Sequence, residues 1–234
     1  MRLGLLLCDH VRPGFQALAG DYPEYFRRLL ADVHSIEIDT FDLTAGQFPN
    51  DLDHYDGWIS SGSRHSVYDD VEWVGRFADL VRQLDHERRS YVGVCFGAQM
   101  IGHALGGEVK RADQGWQVGT KRVEVIKKAS WMDPAVASFR ILHSNADQII
   151  RPPARMEVLG SSETVPVSVV AVDDHFVGFQ GHPEFTPTHS AVLMEARRKT
   201  LIPDEVVNEG LNSLLEPPDT RVLASWITTF LRQR

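Results

Sequence analysis

Short apolar runs alternate with amphipathic stretches through the first hundred residues of the chain, and this alternation constrains the fold more than any other feature. Residues 3–8 and 91–95 are continuous apolar runs, which are typical of strands covered on both faces. Between them, apolar side chains recur at helical spacing after Asp21 and again from Glu72. Strands that alternate with helices form parallel β-α-β units. We therefore expect an α/β fold with a doubly wound, mostly parallel sheet flanked by helices.

Caps and periodicity define further elements. Asp21 and Glu24 form a capping-box signature for a helix whose apolar stripe extends to Val33, and residues 35–42 then alternate at the strand period. Thr186 before Pro187 is typical of a helix start. The same criteria predict strands at 57–60, 118–126 and 167–180, and helices at 72–84, 99–105, 206–215 and 222–231.

The strands predicted beyond residue 107 resemble hairpins, so we expect a small antiparallel extension of the sheet. We expect one domain over residues 1–234, with a catalytic core of about 1–190 and C-terminal helices over about 187–234.

The acidic composition argues against several function classes. The chain has 24 Lys and Arg against 32 Asp and Glu, a net charge of -8, whereas nucleic-acid binders normally carry a basic patch. No apolar stretch approaches the roughly 20 residues of a membrane helix, and the run at 3–8 is too short for a signal-peptide core. Two cysteines cannot build a disulfide framework, so we expect reduced thiols and a cytoplasmic location.

One of these cysteines, Cys95, lies where a buried strand ends, with Gly93 and Gly97 two residues to either side. This spacing is typical of a nucleophile elbow, a turn so tight that neighbouring Cβ atoms would clash. The helix N-terminus there stabilises a thiolate, and the backbone N–H of Phe96 points to a developing oxyanion. The alternative is a structural cysteine in a glycine-shaped turn, and the motif alone does not decide between the two.

A second motif places His182 and Glu184 two residues apart, after the strand predicted to end near residue 180. A thiol nucleophile needs a general base, and the base needs a partner that holds its tautomer. In an extended segment fixed by Pro183, the two side chains would share a face. Alone, the pair is also compatible with a loop histidine and a solvated glutamate. Because both motifs end strands, where open α/β sheets bind ligands, together they predict a catalytic triad of Cys95, His182 and Glu184.

These motifs resemble the class I glutamine amidotransferase family, whose G-x-C-x-G-x-Q elbow is followed about ninety residues later by His-Pro-Glu. The chain matches at Gly93, Cys95, Gly97 and Gln99 and again at 182–184, and the resemblance extends over about 1–190. It implies a flavodoxin-like glutaminase fold, a triad that hydrolyses the side-chain amide of glutamine through a thioester, and a substrate-positioning role for Gln99.

The loop after the strand at 57–60 also resembles the family. By that resemblance Gly62 supplies the second oxyanion N–H, but Arg64 stands where the family has proline. Two roles are open for Arg64, contact with a substrate carboxylate or solvation at the surface. Residues 68–73 and 115–119 are similar to stand-alone members related to GMP synthase glutaminases and γ-glutamyl peptidases.

A further segment, 143–147, aligns with the family loop that holds the amino and carboxylate groups of glutamine. The resemblance implies substrate binding by Ser144, Asn145 and Asp147. Asn145 and Ala146 depart from the usual Ser-His-Gly-Asp pattern, so the substrate is less constrained than the triad.

Three functions stay open on this basis. The first is glutamine hydrolysis, with ammonia passed to a synthetase in trans, because the sequence has no G-x-x-x-x-G-K-[ST] loop for ATP. The second is a stand-alone γ-glutamyl peptidase acting on γ-glutamyl amides or conjugates. The third is a non-catalytic binding or regulatory module. The ten histidines are dispersed without paired-ligand spacing, so we expect no metal and no cofactor, and a glutamine or γ-glutamyl small molecule as ligand.

Overall fold

The computed structural model describes residues 1–31 and 36–233. The strands among these residues are β1 (Arg2–Leu7), β2 (Glu37–Asp42), β3 (Gly57–Ser60), β4 (Tyr91–Val94), β5 (Glu108–Arg111), β6 (Gln117–Val125), β7 (Ser138–Asn145), β8 (Asp147–Arg151), β9 (Met156–Ser161), β10 (Val169–Val172) and β11 (Phe176–Phe179). The helices are α1 (Pro13–Ala19), α2 (Tyr22–Leu29), α3 (Glu72–His86), α4 (Phe96–Ala104), α5 (Pro187–Arg197), α6 (Asp204–Ser213) and α7 (Thr220–Arg232). Within the described ranges, none of these helices combines the length and apolarity needed to span a membrane.

The main sheet has a parallel half and an antiparallel half. Strands β2, β1, β3, β4 and β11 pair in parallel in that order, and β10, β9, β6 and β7 continue the sheet with antiparallel pairs. Strands β5 and β8 form a separate antiparallel pair. The predicted doubly wound α/β fold with an antiparallel extension is confirmed.

Helices cover both faces of the parallel half. Leu5 of β1 shares a core with Phe26 of α2 and Trp226 of α7, whereas its neighbour Leu6 shares the opposite core with Phe77 of α3. Successive side chains of a strand point to opposite faces, so a strand packed on both sides must be apolar throughout. Each such side chain, when fully buried, stabilises the fold by roughly 1.5–3 kcal/mol.

The two predicted helix caps are confirmed. Asp21 and Glu24 form the capping box at α2, and the Thr186 side chain caps α5 by accepting a backbone hydrogen bond from the first turn. The predicted end of the first stripe at Val33 and the predicted strand start at residue 35 lie outside the described residues.

Helix α1 and strands β5, β7, β8 and β9 were not predicted, and three predicted segments differ in detail. Leu215 is 87% exposed because α6 ends at Ser213, so Leu215 is not part of a buried stripe. Helix α4 begins at Phe96 instead of residue 99, because the chain turns directly at Cys95. Residues 143–147, expected as a loop, form the end of β7 and the start of β8.

Strand β11 brings the two sequence motifs together at one edge of the sheet. It forms the predicted hairpin with β10, but it also pairs in parallel with β4, with Phe179 opposite Val94. Because β3 pairs with the other side of β4, the carboxyl ends of β3, β4 and β11 meet at the same edge. Ligands bind at that edge in open α/β sheets.

Candidate active site

A sharp turn joins β4 to α4 at Cys95. Its φ of 50° and ψ of -99° form a combination that residues with a side chain rarely adopt, so the turn is strained. A Cβ at Gly93 would lie 2.5 Å from the carbonyl carbon of Gly97, and a Cβ at Gly97 would lie 1.9 Å from Ser60 Oγ. Both positions therefore require glycine, as a nucleophile elbow does.

Replacing Gly93 with Ala tests this turn. The added Cβ would meet backbone atoms of α4, which cannot swing aside, so we expect the free energy of unfolding to fall by about 2–3 kcal/mol. Gly75 is the matched control, because a Cβ on this exposed position of α3 meets nothing within 4 Å. Gly75→Ala should raise the free energy of unfolding by about 0.5–1 kcal/mol. Urea unfolding followed by circular dichroism measures both, and an unchanged midpoint for Gly93→Ala would contradict the close approach.

His182 follows β11 and is held on three sides. Its backbone N–H donates to the carbonyl of Leu142 at 2.7 Å, its Nδ1 lies 2.8 Å from Glu184 Oε1, and its ring stacks on Phe185 with 3.8 Å between centroids. His182 and Glu184 are both buried. Because Glu184 engages Nδ1, the other ring nitrogen of His182 is the one left for the thiol.

Glu184 and Cys95 determine the protonation of His182. Burial by itself lowers the pKa of His182, but the charges of Glu184 and Cys95, with hydrogen bonds to both, outweigh it and raise the pKa to about 10. The structure therefore favours an imidazolium beside the sulfur. A cysteine paired with a protonated histidine is an activated nucleophile.

The two predicted oxyanion donors lie next to this pair. Gly62 packs so closely that a Cβ there would come within 2.8 Å of His182 Cε1 and 3.6 Å of the Cβ of Cys95. Phe96 is the first residue of α4, so its backbone N–H has no partner within the helix. The loop after β3 and the start of α4 thus flank the sulfur from two sides.

The four predicted substrate-binding residues and Cys95 line one cavity of about 420 Å³. Gln99 Nε2 donates to the carbonyl of Asp147 at 2.7 Å, and Asn145 Nδ2 donates to the same carbonyl at 3.1 Å. These bonds fix the junction of β7 and β8 against the elbow, with Ser144 also bordering the cavity.

Sequence reasoning missed Gln180 next to the sulfur and Arg197 in the cavity lining. Gln180, directly after β11, donates from Nε2 toward Cys95 Sγ at 3.8 Å. Arg197, the last residue of α5, donates to Ser144 Oγ at 2.8 Å and lies over the ring of Trp116. A polar residue at the carboxyl end of a strand was a usable signal for Gln180. For Arg197 the neighbouring sequence gives no such signal, because the direction of its side chain depends on how α5 packs.

Arg64 is engaged by another residue of the chain. Its guanidinium pairs with Asp9 at 2.6 Å, and its backbone N–H donates to the same carboxylate at 2.9 Å. Arg64 also donates to the carbonyl of His10 at 3.1 Å, so it ties the loop after β3 to the loop after β1. Of the two roles left open, the structure supports the surface position, with the charge compensated by Asp9.

The cavity lining carries more positive than negative side chains. Among the described residues, four arginines border it, whereas its carboxylates are two, Asp9 and Asp147. Asp9 and Arg64 pair with each other, so three arginines remain against Asp147. In a chain with a net charge of -8, this local excess favours an anionic ligand.

Over residues 1–31 and 36–233, no group of three or more His, Cys, Asp or Glu is arranged to hold a metal ion.

Known proteins are similar to this chain in sequence and in fold. The family model of class I glutamine amidotransferases matches residues 22–198. γ-Glutamyl peptidase 2 of Arabidopsis thaliana is 30% identical over 204 residues, which cover 84% of this chain and 82% of that protein. One component of the glutamine-hydrolysing GMP synthase of Sulfolobus acidocaldarius is 25% identical over 170 residues, covering 72% of this chain and 88% of that component. The crystal structure of a glutamine amidotransferase from Thermotoga maritima superimposes with a TM-score of 0.75 at 18% identity, over 99% of both chains, and supports the fold alone.

Proposed function

The chain belongs to the class I glutamine amidotransferase family, and we propose that it is a hydrolase that cleaves the γ-amide bond of γ-glutamyl compounds with a triad of Cys95, His182 and Glu184. The observation that carries the proposal is a strained elbow cysteine beside a buried histidine that Glu184 holds through Nδ1. Backbone strain and a buried charge both cost stability, and a non-catalytic binding module would not need either of them. We propose that residues 1–234 act as one domain, since α7 shares the core of the sheet that carries Cys95.

Acylation begins when the Cys95 thiolate attacks the γ-carbonyl carbon. The N–H groups of Phe96 and Gly62 stabilise the oxyanion, and each such donor contributes about 3 kcal/mol. As the C–N bond breaks, imidazolium His182 gives its proton to the departing nitrogen. The nitrogen leaves as ammonia from glutamine or as an amine from a peptide, and a γ-glutamyl thioester stays on Cys95.

Deacylation uses the same residues in the opposite direction. Neutral His182 removes a proton from water, and the water oxygen attacks the thioester carbonyl carbon. The C–S bond then breaks, the glutamyl acid leaves, and the Cys95 thiolate is restored beside the imidazolium. Throughout both steps Glu184 orients His182 through Nδ1 and stabilises its charged form.

The cavity favours γ-glutamyl peptides over glutamine. Free glutamine carries no net charge, whereas a γ-glutamyl peptide brings an additional carboxylate, which suits the excess of arginines in the lining. A cavity of about 420 Å³ lies in the size range of sites that enclose drug-sized ligands. Arg197 is bonded to Ser144 in the segment implied to hold the amino acid part of the substrate, so we assign its guanidinium to the glutamyl α-carboxylate. Glutamine shares that group, so the preference for peptides rests on the other arginines of the lining. A relative named γ-glutamyl peptidase supports the same choice.

Glutamine is the second candidate substrate. It is favoured by the similarity to a component of a GMP synthase named as glutamine-hydrolysing. In that case the chain would release ammonia to a synthetase that binds it in trans.

A substrate panel tests the proposal. Purified protein is incubated separately with glutamine and with γ-glutamyl dipeptides, and glutamate release is followed. We expect kcat/KM to be at least about tenfold higher for the dipeptides, the equivalent of about 1.4 kcal/mol from one additional charged contact. A preference for glutamine would favour the second candidate. Turnover of neither, with no labelling of Cys95 by an electrophilic glutamine analogue, would overturn the proposed function.

A further inference from the structure

One face of α5 forms a wall of the cavity. His189, Leu193 and Arg197 are spaced by four residues, so they lie above one another on the helix, and all three border the cavity. The wall is fixed to the triad, because Phe185 stacks on His182 and also meets the ring of His189 edge-on at 4.5 Å. Arg197 contacts Ser144, and its charge acts on the ring of His189, so the two donors stand on the same wall within reach of one ligand.

His189 presents an unpartnered ring nitrogen. The side chain is buried, at 6% exposure, and its Nδ1 lies 2.7 Å from the hydroxyl of Tyr25, itself 2% exposed. Its Nε2 is buried without a hydrogen-bond partner among the described residues. The two ring nitrogens point in different directions, so Nε2 faces away from Tyr25.

The hydroxyl of Tyr25 selects the tautomer of His189. A buried O–H group needs an acceptor, and Nδ1 of His189 is the partner it has in the described structure. Tyr25 therefore donates to Nδ1, which places the ring proton on Nε2. Burial, reinforced by the charges of His182, Arg197 and Arg28, lowers the pKa of His189 to about 4, so the ring is neutral at physiological pH. His189 is thus a neutral N–H donor with an unused proton.

We propose that His189 determines substrate specificity by donating its Nε2–H to the α-carboxylate of the γ-glutamyl group, beside the guanidinium of Arg197. The identity of the ligand rests on the proposed function. The α-carboxylate suits this wall because a planar anion accepts hydrogen bonds from two donors at once, and a neutral histidine can donate without adding a second charge next to His182. His189 takes no part in bond making; it recognises the group that distinguishes a γ-glutamyl amide from other amides.

A binding experiment in a Cys95→Ala background tests the proposal without turnover. The ligands are γ-glutamyl-alanine and the same peptide with its glutamyl α-carboxylate converted to a carboxamide, and calorimetry gives Kd for each. His189→Phe keeps the aromatic contact with Phe185 but has no donor. It should weaken binding of the free acid by about 10- to 100-fold and binding of the carboxamide by less than about threefold.

Two further variants separate recognition from packing. His189→Gln keeps an N–H donor near the position of Nε2 and should recover part of the lost affinity for the free acid. Tyr25→Phe removes the hydroxyl that selects the tautomer and should weaken binding of the free acid alone, by less than His189→Phe does. A purely structural role for His189 would weaken both ligands equally.

The outcomes for this site and for the proposed function are distinguishable. Equal loss of both ligands in His189→Phe, or no loss, would overturn the role of His189 even if the wild-type protein hydrolyses γ-glutamyl peptides. A loss confined to the free acid supports the carboxylate site even if the wild-type protein hydrolyses none of the panel. With Cys95 intact, His189→Phe should raise KM for γ-glutamyl-alanine and leave kcat within about threefold.

Discussion

Cys95→Ala is expected to lower kcat by at least about 10⁴-fold on every substrate that the wild-type protein cleaves. In the proposed mechanism alanine removes the sulfur that forms the thioester, whereas the proposed backbone donors at Phe96 and Gly62 stay in place and can support only a small residual rate. The backbone at this position has a positive φ, which strains alanine and cysteine alike, so the fold should persist. Glutamate release measures the rate. Intact-protein mass after treatment with an electrophilic glutamine analogue should show one adduct on the wild type and none on the variant.

Cys8 is the matched control, since the sequence has only two cysteines. It is buried at the end of β1, its Sγ lies 3.5 Å from the carbonyl of Leu6, and burial raises the pKa of its thiol well above the ordinary value. Cys8→Ala should therefore keep kcat within about twofold and still form the adduct. Activity of Cys95→Ala above about 1% of the wild-type rate would rule out Cys95 as the nucleophile.

Glu184→Gln is expected to lower kcat/KM by about 10³-fold at neutral pH. The carboxylate opposes the effect of burial on His182 and helps to raise its pKa to about 10. Glutamine keeps the size of the side chain but removes the charge, so Cys95 alone opposes the effect of burial and the pKa of His182 falls. The imidazolium that we propose protonates the leaving nitrogen is consequently lost at lower pH, and the basic limb of the kcat/KM profile should move to lower pH.

Glu195→Gln on the exposed side of α5 controls for the loss of one negative charge. Glu195 pairs with Arg198 at 2.7 Å, and neither residue borders the cavity. This variant should leave both kcat/KM and the pH profile unchanged, because an exposed ion pair contributes little. A Glu184→Gln protein with the wild-type pH profile would show that Glu184 does not set the protonation of His182.

The chemistry of this site could be predicted from sequence largely because it depends on neighbours in the chain. The elbow at Cys95 is specified by Gly93 and Gly97, whose missing Cβ atoms allow β4 and α4 to meet. The caps at Asp21 and Thr186 are likewise decided within one helical turn. Contacts of this kind leave a spacing pattern that can be recognised without knowing where the rest of the chain lies.

The wall of the cavity could not be predicted in the same way. Arg197 and His189 stand on a helix whose sequence does not indicate which side faces the sheet, and His189 acquires its tautomer from Tyr25, a residue of α2. Strands β5 and β8 were missed because they are partly exposed and pair only with each other, so neither has the continuous apolar run of a buried strand.

The sequence by itself determined that a cysteine in a tight turn ends a buried strand, that a histidine and a glutamate end another, and that the strands of the first hundred residues pair in parallel. Only the tertiary structure decided that these two strands are neighbours. The backbone hydrogen bonds that pair β11 with β4 are the same for any residues, so the pairing is selected by the packing of the whole sheet and its helices. That pairing sets His182 beside Cys95, and the packing of α5 against the same edge supplies the side chains that we expect to recognise the substrate.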